Sequence, residues 1–282
     1  GCNRFCSYCI IPYARGGISS KNPESILSEI RKLSEEGFTE VILSGIHIAS
    51  YGHDLPEKKD LLDLLEEIEE IDGIQRVRIG SIEPMFFKDG RMDRIVRLKK
   101  LCPHFHLSLQ SGSLATLKRM NRRYSPEDFS EVVEDIRKRL HDPSITTDVI
   151  VGFPGETADE FQETYDFLER IKLNKVHTFK YSPRKGTPAY LMKDQVSGTE
   201  KNRRSSLIMM QSDVHEKEFL EKYKGQILEV LYEEGREGVH TGYTRNYLKV
   251  RVISGENIQG MYLKTRILGL EDTDLLGEVL DQ

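Results

Sequence analysis

The sequence predicts an α/β protein in which a parallel sheet is followed by a small antiparallel β-barrel. Two observations carry this prediction. Between residues 22 and 181, helical apolar stripes alternate with five short apolar strands, which is the pattern of a parallel sheet covered by helices. From residue 225 onward, apolar and polar residues alternate with period two between frequent glycines, as in small β-barrels. We therefore expect one unit over residues 1–222 and another over 223–282.

The predicted helices and strands are each indicated by local residue patterns. Asn22-Pro23 opens the first long helix, because Asn is a favoured N-cap and Pro suits the first helical turn. The other helices follow the same apolar spacing, and the strands are short apolar runs. The predicted helices cover residues 22–36, 60–71, 92–101, 114–120, 126–140, 157–171 and 200–223. The predicted strands cover residues 40–45, 76–80, 106–110, 146–151 and 175–181.

Composition narrows the function classes. The chain has 282 residues, 38% hydrophobic and 31% charged, and no run approaches the ~20 apolar residues of a membrane span. The net charge of -5 means that nucleic-acid binding needs a local basic patch. Residue 1 is not Met, so we expect the natural N-terminus to lie upstream. Cysteines grouped as ligands, with one left over, fit a reducing cytoplasm.

Three of the four cysteines lie within eight residues, in a C-x3-C-x2-C pattern formed by Cys2, Cys6 and Cys9. Thiolates at this density typically hold a metal or an iron–sulfur cluster. A zinc finger is disfavoured because no second ligand pair follows and Cys102 stands alone. Three ligands to a four-iron cluster leave one iron open for a reacting molecule. The alternative, three cysteines on one helix face, is opposed by the helix breakers that follow: Pro12, Gly16 and Gly17.

The cysteine pattern and the continuation Ile10–Gly16 resemble the methylthiotransferase branch of the radical S-adenosylmethionine (SAM) enzymes, most of all its MtaB type. The resemblance implies a [4Fe-4S] cluster on the three cysteines, whose open iron binds SAM and whose electron splits it into methionine and a 5′-deoxyadenosyl radical. It also implies a partial (β/α)6 radical SAM barrel. The first strand of such a barrel precedes the cysteine loop, so we expect it to be missing from this chain.

By the same resemblance, several motifs line SAM at the carboxyl ends of the strands, where active sites of parallel barrels lie. Ser44 and Gly45 come at the end of the strand predicted over residues 40–45, although a Gly there also suits an ordinary turn. Leu109–Ser113 matches the family's L-Q-S-G-S, which assigns Gln110 and Ser111; a helix N-cap at Ser113 is the simpler alternative. Arg122 is the expected partner of the SAM carboxylate, against a solvated helix end.

The segment Asp148–Glu156 resembles the radical SAM motif G-x-I-x-G-x-x-x-E, with Asp148 in place of the first Gly. The match assigns Ile150, Gly152 and Glu156 to SAM binding, since an apolar strand end can pack on adenine and a glycine lets backbone approach the ligand. Capping of the following helix by Glu156 is the alternative role, because acidic residues favour that end.

Two further segments are candidates for RNA contact. Tyr181–Ala189 matches the family pattern Y-S-x-R-x-G-T-x-A, and its Arg184 and Lys185 could reach phosphates, against an ordinary Pro-Gly loop. Residues 223–282 resemble the TRAM domain of tRNA-modifying methylthiotransferases. Alternation predicts four cations on its outward face, which we call the barrel stripe; a solvated strand face is the alternative. The barrel stripe consists of Lys249, Arg251, Lys264 and Arg266.

The resemblance implies addition of a methylthio group to C2 of N6-threonylcarbamoyladenosine beside the tRNA anticodon, with the tRNA anticodon stem-loop and an electron donor such as flavodoxin as partners. Relatives acting on N6-isopentenyladenosine or on a ribosomal-protein aspartate are alternatives, as is a non-catalytic RNA-binding module with a structural cluster. The family's N-terminal domain, which holds a second [4Fe-4S] cluster, is absent, so we expect SAM cleavage without sulfur delivery. Ser19–Lys21 replaces the family's R-S-R, which weakens a phosphate contact there.

Overall fold

A computed structural model of the protein describes residues 1–280. The helices are α1 (Ile11–Arg15), α2 (Pro23–Glu35), α3 (Leu61–Glu69), α4 (Arg91–Ile95), α5 (Leu114–Arg119), α6 (Pro126–Arg139), α7 (Ala158–Ile171) and α8 (Gly198–Glu221). The strands are β1 (Glu40–Leu43), β2 (Arg76–Ile79), β3 (His104–Gln110), β4 (Ser144–Val151), β5 (Lys175–Lys180), β6 (Ile227–Arg236), β7 (Val239–Thr244), β8 (Lys249–Ile253), β9 (Tyr262–Glu271) and β10 (Asp274–Val279). Within the described range, no helix has the length and apolar character needed to cross a bilayer. The predicted α/β class with a C-terminal β-barrel is confirmed.

The first five strands form a curved parallel array in sequence order. β1 pairs with β2, and β3 pairs with β4, which pairs with β5. Two parallel bridges, Val77 to Leu101 and Ile82 to Leu107, join the two pieces. The long helix α8 covers the outer edge of β5, where Ser212 Oγ accepts a hydrogen bond from the Val176 amide at 2.9 Å. All carboxyl ends of the strands therefore meet at one edge.

The two faces of this sheet differ in chemistry because alternate residues point to opposite sides. On β3, Phe105, Leu107 and Leu109 are fully buried in the main core with the helices. The intervening His106 and Ser108 are only half-buried, on the concave face. The concave face is thus a polar surface that runs beneath the carboxyl ends of the strands.

Local capping explains where the helices begin. Ser125 and Asp128 form a reciprocal capping box at the start of α6, and Thr157 and Glu160 form another at the start of α7. Each pair satisfies backbone amides that have no partner inside the first helical turn. These two helices start at the ends of the α5–α6 and β4–α7 loops, so their caps position the loops at the carboxyl edge.

One helix is shorter than its sequence predicts. The apolar spacing indicates a helix over residues 92–101, but α4 ends at Ile95. The carboxylate of Glu69 accepts hydrogen bonds from the backbone amides of Lys99, at 2.8 Å, and of Lys100, at 3.1 Å. These amides are thereby held outside a helix, and the chain turns directly toward β3.

The C-terminal strands close into a barrel in the order β10-β8-β7-β6-β9. Its pairings are antiparallel except between β10 and β8, which run parallel. The division at residue 222/223 stays a prediction; α8 ends at Glu221 and β6 begins at Ile227, and residues 281–282 of the predicted unit lie outside the described residues.

The barrel docks on the amino-terminal ends of β2 and β3. Arg76 and Arg78, 1% and 3% exposed, point from β2 into this contact. Arg76 Nη1 donates to the Tyr243 carbonyl at 2.9 Å, and Arg78 donates to the carbonyls of Thr244 and Arg245, each at 2.8 Å. Paired hydrogen bonds from buried guanidinium groups fix the barrel to the sheet.

Candidate active site

The three clustered cysteines lie in an irregular loop before α1, at the carboxyl edge of the sheet. The Cys9 amide donates to the Cys6 carbonyl at 2.9 Å, and Phe5 has a φ of 49°, a left-handed conformation that turns the chain between Cys2 and Cys6. Because α1 begins only at Ile11, the cysteines do not share a helix face, and that alternative is excluded.

Ser7 anchors this loop. Its amide donates to the Met120 carbonyl at 3.0 Å and its hydroxyl donates to the Arg119 carbonyl at 2.7 Å. Its own carbonyl accepts from the Ala189 amide at 2.8 Å. One buried serine thus joins the cysteine loop to the α5–α6 connection and to the segment after β5. Sequence reasoning missed it, since a serine inside a cysteine motif carries no distinctive pattern.

A second anchor is the pair of Arg4 and Glu83. Arg4 lies between Cys2 and Cys6, and its guanidinium pairs with the Glu83 carboxylate, whose side chain is 6% exposed. His47 Nε2 lies 3.5 Å from the same carboxylate, and His47 Nδ1 is 2.5 Å from Ser50 Oγ. Burial opposes ionisation of Glu83, but His47 and Arg4 outweigh it and hold the pKa of that carboxyl below its usual value. The loops after β1 and β2 therefore clasp the cysteine loop.

Arg122 is the group beside Cys6. Its Nη1 donates to Cys6 Sγ at 3.4 Å, its Nη2 to the Ser108 carbonyl at 3.1 Å, and its Nε to Tyr124 Oη at 2.9 Å. Burial raises the pKa of Tyr124 to about 12. The predicted contact of Arg122 with the SAM carboxylate stays a prediction; in this structure the guanidinium joins the cysteine loop to the end of β3.

The donor set fits an iron–sulfur cluster. All three thiols are free, Cys6 has a cation at its sulfur, and the Arg4 amide donates to Cys2 Sγ at 3.4 Å. Burial raises the pKa of the Cys9 thiol, so metal binding there releases a proton. Across residues 1–280 no three potential ligands are close enough for a single metal ion. An iron–sulfur cluster does not require the three thiols to converge on one metal ion, because each cysteine binds a different iron.

Ser44 and Gly45 lie directly after β1 on the exposed rim. They line a groove of about 590 Å³ that runs along β1 and α2, together with Ile42, Ile46 and His47. The cysteines do not line this groove. Gly1, next to Cys2, and His47, which contacts Arg4, connect the groove to the cysteine loop. The assignment of Ser44 and Gly45 to SAM stays a prediction.

Gln110 and Ser111 have different surroundings. Gln110 ends β3 with a φ of 71°, a strained backbone for a residue with a side chain, at a place where the pairing with β4 is irregular. Ser111 is fully buried, and its hydroxyl lies 3.1 Å from Thr164 Oγ1 on α7. A Cβ on Gly112 would lie 2.8 Å from the Thr164 Cα, so the glycine permits this close packing. The alternative cap is not formed: Ser113 is the N-cap residue of α5, but its side chain makes no capping hydrogen bond.

Ile150, Gly152 and Glu156 follow one another at the end of β4. Ile150 is half-buried against an apolar cluster that contains Phe153 and Tyr181. Gly152 has a φ of 69°, and its amide donates to Glu156 Oε2 at 2.5 Å. The same carboxylate pairs with Arg204 of α8 at 2.6 Å. Glu156 thus braces the loop after β4, and its predicted contact with SAM stays a prediction.

Five exposed cations surround the cysteine loop, and we call them the rim cations. Among residues 1–280, none of them forms an ion pair. They come from the ends of α1 and α5 and from the loop after β5. The rim cations are Arg15, Lys118, Arg123, Arg184 and Lys185.

The barrel stripe is placed differently. Its four side chains point outward as predicted, with Leu263 and Ile267 inward. Acidic residues on neighbouring segments pair with three of them: Lys249 with Asp274 at 3.1 Å, Arg266 with Glu278 at 3.1 Å, and Arg251 with Glu271. These carboxylates compete with RNA phosphates for the same cations.

Comparison with known proteins agrees with this geometry. A family profile described as the Radical SAM superfamily matches residues 1–168. The chain is 40% identical over 273 residues to "Threonylcarbamoyladenosine tRNA methylthiotransferase MtaB" of Bacillus subtilis, covering 95% of this chain and 60% of the relative. It is 41% identical over 281 residues to "tRNA-2-methylthio-N(6)-dimethylallyladenosine synthase" of Pelotomaculum thermopropionicum, covering 98% and 62%. The chain thus spans about 60% of the length of these curated relatives.

Solved structures share the fold at low identity. The radical SAM methyltransferase TsrM of Kitasatospora setae aligns with a TM-score of 0.55 and 17% identity, over 68% of this chain and 37% of that one. Coproporphyrinogen III oxidase (HemN) of Escherichia coli aligns with a TM-score of 0.51 and 13% identity, over 94% and 64%. The superfamily uses a [4Fe-4S] cluster and SAM. With its profile matching more than half of the sequence, the chain belongs to the radical SAM superfamily.

Proposed function

We propose that the chain is the SAM-cleaving and RNA-contacting part of a tRNA methylthiotransferase. In the proposed reaction, a methylthio group is added to C2 of N6-threonylcarbamoyladenosine next to the tRNA anticodon. The observation that carries the proposal is the set of three free thiols, clasped by Arg4, Ser7 and Arg122 above an open polar face of a parallel sheet. The similarity to a threonylcarbamoyladenosine methylthiotransferase supports the choice of base.

In this proposal, Cys2, Cys6 and Cys9 hold the [4Fe-4S] cluster, and Arg122, beside Cys6, binds the carboxylate of SAM. When bound, the cluster and SAM would supply a 5′-deoxyadenosyl radical that removes the hydrogen at C2 of the base. A second SAM would supply the methyl group, and the second [4Fe-4S] cluster, which the family carries in its N-terminal domain, would supply the sulfur. Glu83 keeps the cysteine loop in place through Arg4.

The remaining assigned residues line SAM in this proposal. The backbone at Ser44, Gly45, Gln110 and Gly152 approaches SAM, and Ile150 packs on its adenine. Gly152 suits this role because it has no side chain and already adopts a left-handed turn. Ser111 and Glu156 act indirectly, by holding the loops after β3 and β4.

The rim cations bind the phosphates of the anticodon stem-loop in this proposal. They are exposed and unpaired across the described residues, and they surround the opening above the cysteine loop. Phosphate contacts of this kind position RNA without reading its sequence. A cytoplasmic electron donor such as flavodoxin completes the system, in keeping with free thiols that need a reducing compartment.

A second candidate base is N6-dimethylallyladenosine. Relatives named for that substrate are 36% to 41% identical to this chain, a range that includes the 40% identity to the threonylcarbamoyladenosine enzyme. The decisive experiment is mass spectrometry of tRNA nucleosides from a strain that lacks the gene. Loss of the 2-methylthio form of threonylcarbamoyladenosine supports the proposal, and loss of the dimethylallyl form instead refutes the choice of base.

A protein substrate and a non-catalytic role each have a test of their own. If a ribosomal-protein aspartate rather than tRNA loses its modification in the same strain, the substrate is a protein. If the anaerobically reconstituted chain forms no 5′-deoxyadenosine from SAM with dithionite, the chain is a non-catalytic module with a structural cluster.

A further inference from the structure

The concave face of the sheet carries a group of polar side chains that the site described above does not use. We call it the concave polar group; it consists of His106 on β3, Asp148 on β4 and His177 on β5. His106 Nε2 lies 3.2 Å from Asp148 Oδ2, and His106 Nδ1 is 2.9 Å from Thr146 Oγ1. The rings of His106 and His177 are 5.6 Å apart.

The strand register brings these residues together. His106 is paired with Thr146, and Asp148 is paired with His177, so all of them point to the same face of three adjacent strands. The side chain of His106 is 18% exposed and that of Asp148 is 31% exposed, and His177 is exposed. A molecule on the concave face can therefore reach them.

The group has hydrogen-bonding capacity to spare. Within residues 1–280 the imidazole of His177 has no hydrogen-bond partner, and the second oxygen of Asp148 has none either. Partial desolvation on the sheet face and the neighbouring His106 lower the pKa of His177, and a neutral imidazole offers one N–H donor and one acceptor. His106, by contrast, is held on both ring nitrogens and serves to orient Asp148.

The position of the group on the strands also matters. Gln110 and the cysteine loop lie at the carboxyl edge, and His106 is four residues earlier on the same strand, about 13 Å deeper at the usual rise of a strand. Deeper still, the His104 ring packs on Tyr247 of the docked barrel, with centroids 4.8 Å apart, and closes the floor. The concave polar group thus lies between the reactive edge and a closed floor.

We propose that His106, Asp148 and His177 bind the polar substituent on N6 of the base and so select threonylcarbamoyladenosine over dimethylallyladenosine. This inference rests on the proposed function. C2 and N6 leave the adenine ring in diverging directions, so a base with C2 toward the cysteine loop sends its N6 substituent deeper into the concave face. There the threonyl hydroxyl donates to Asp148, and a carbonyl or carboxylate oxygen accepts from His177.

The selection follows from the cost of unpaired polar groups. A dimethylallyl group offers no hydrogen bond, and it would cover Asp148 and His177 without replacing their water. Sites built to hydrogen-bond a substrate discriminate strongly against analogues that lack the matching group. An apolar substituent would be favoured by an apolar wall, which these three strands do not provide at this depth.

The test uses synthetic anticodon stem-loops that carry threonylcarbamoyladenosine, dimethylallyladenosine or adenosine at the modified position. Dissociation constants for the chain are measured by fluorescence anisotropy at one fixed salt concentration, so that phosphate contacts contribute equally. We expect the parent to prefer the threonylcarbamoyl RNA over the dimethylallyl RNA by about tenfold, the value of one or two good hydrogen bonds. His177→Phe keeps a ring at an exposed position and should bring the ratio close to one.

Two variants complete the design. Asp148→Asn keeps the shape of the side chain and should lower the ratio several-fold. His141→Phe removes another exposed imidazole, outside the sheet, and should leave the ratio unchanged. An equal affinity of the parent for both modified RNAs, or an unchanged ratio in both His177→Phe and Asp148→Asn, overturns the inference.

A separate measurement tests the proposed function independently of the inference on specificity. The reconstituted chain is given SAM and a stem-loop with deuterium at C2 of the threonylcarbamoyladenosine. Transfer of deuterium to 5′-deoxyadenosine supports the proposed function whatever the binding ratio is. If deuterium transfers but the variants leave the ratio unchanged, only the inference on specificity fails. If no deuterium transfers from this RNA, the proposed function itself fails.

Discussion

Glu83→Gln should loosen the cysteine loop without unfolding the protein. The substitution removes the charge that pairs with Arg4 but keeps the shape of a side chain that is only 6% exposed. Breaking a fully buried ion pair costs about 3–5 kcal/mol, but Arg4 is 33% exposed, so solvent screening reduces the expected cost to about 1–2 kcal/mol. That free energy corresponds to roughly a 5- to 30-fold larger population of loops in an open state.

The assay is amide hydrogen exchange of the cluster-free chain, followed for the segment from Cys2 to Cys9. Glu131→Gln is the matched control, because Glu131 is 67% exposed and pairs with Lys88 at the surface. We expect faster exchange in the cysteine loop for Glu83→Gln only, with an unchanged rate in the core of β3. Equal rates of amide exchange in the cysteine loop of both variants would show that the Glu83–Arg4 pair does not hold this loop in place.

The pH dependence of the same exchange gives a second check. The folded-state pKa of Glu83 is below its usual value, so its contribution to loop stability is present above the unfolded pKa of about 4.3 and is lost as the pH falls through the lower folded value. The parent loop should therefore open in acid below about pH 4. In Glu83→Gln, amide exchange of the cysteine loop should show no such increase in acid.

Three further predictions concern the metal, the interface and RNA. Cys2→Ala, Cys6→Ala and Cys9→Ala should each abolish loading of about four irons in anaerobic reconstitution, whereas Cys102→Ala should not, because Cys102 is fully buried away from the loop; iron loss in Cys102→Ala alone would contradict the ligand assignment. Arg78→Met should lower stability by about 3 kcal/mol in urea unfolding, since it removes the near partner of the Glu40 carboxylate, leaving only Arg76 at 3.8 Å, and takes the donor from two carbonyls; an unchanged midpoint would show that the docking is weak. Charge reversal of the rim cations should weaken tRNA binding and its salt dependence more than reversal of the barrel stripe, because carboxylates already neutralise most of the stripe; the opposite order would place the main RNA contact on the barrel.

The features that depend on local order were predictable from the sequence. Apolar spacing located the strands and most helices, and the spacing of Cys2, Cys6 and Cys9 indicated the candidate cluster site. The contacts that could not be predicted from the sequence join segments that are far apart in the chain. Arg4 and Glu83 are 79 positions apart, and nothing local to either predicts their contact.

Long-range pairing also explains why the ion pairs of the barrel stripe and the early end of α4 were not predicted. The barrel stripe was predicted from alternation alone, but its neutralisation depends on which acidic residues the neighbouring strands bring alongside, and that requires the register. The early end of α4 depends on the Glu69 carboxylate from another helix. Ser111 and Glu156 were assigned from motifs that also serve packing, and only the structure reveals Thr164 and Arg204 as their partners.

The docking of the small barrel through Arg76 and Arg78 fixes the distance between the barrel and the carboxyl edge of the sheet. The rim cations lie at the carboxyl ends of the strands, while the barrel is fastened to the amino ends by buried guanidinium groups. A barrel joined by a flexible linker could adapt to RNAs of many shapes, whereas a barrel fixed to the sheet keeps one distance and one orientation. If the chain binds RNA as proposed, an RNA long and curved enough to reach both ends of the sheet should bind more tightly than a short fragment that reaches only one.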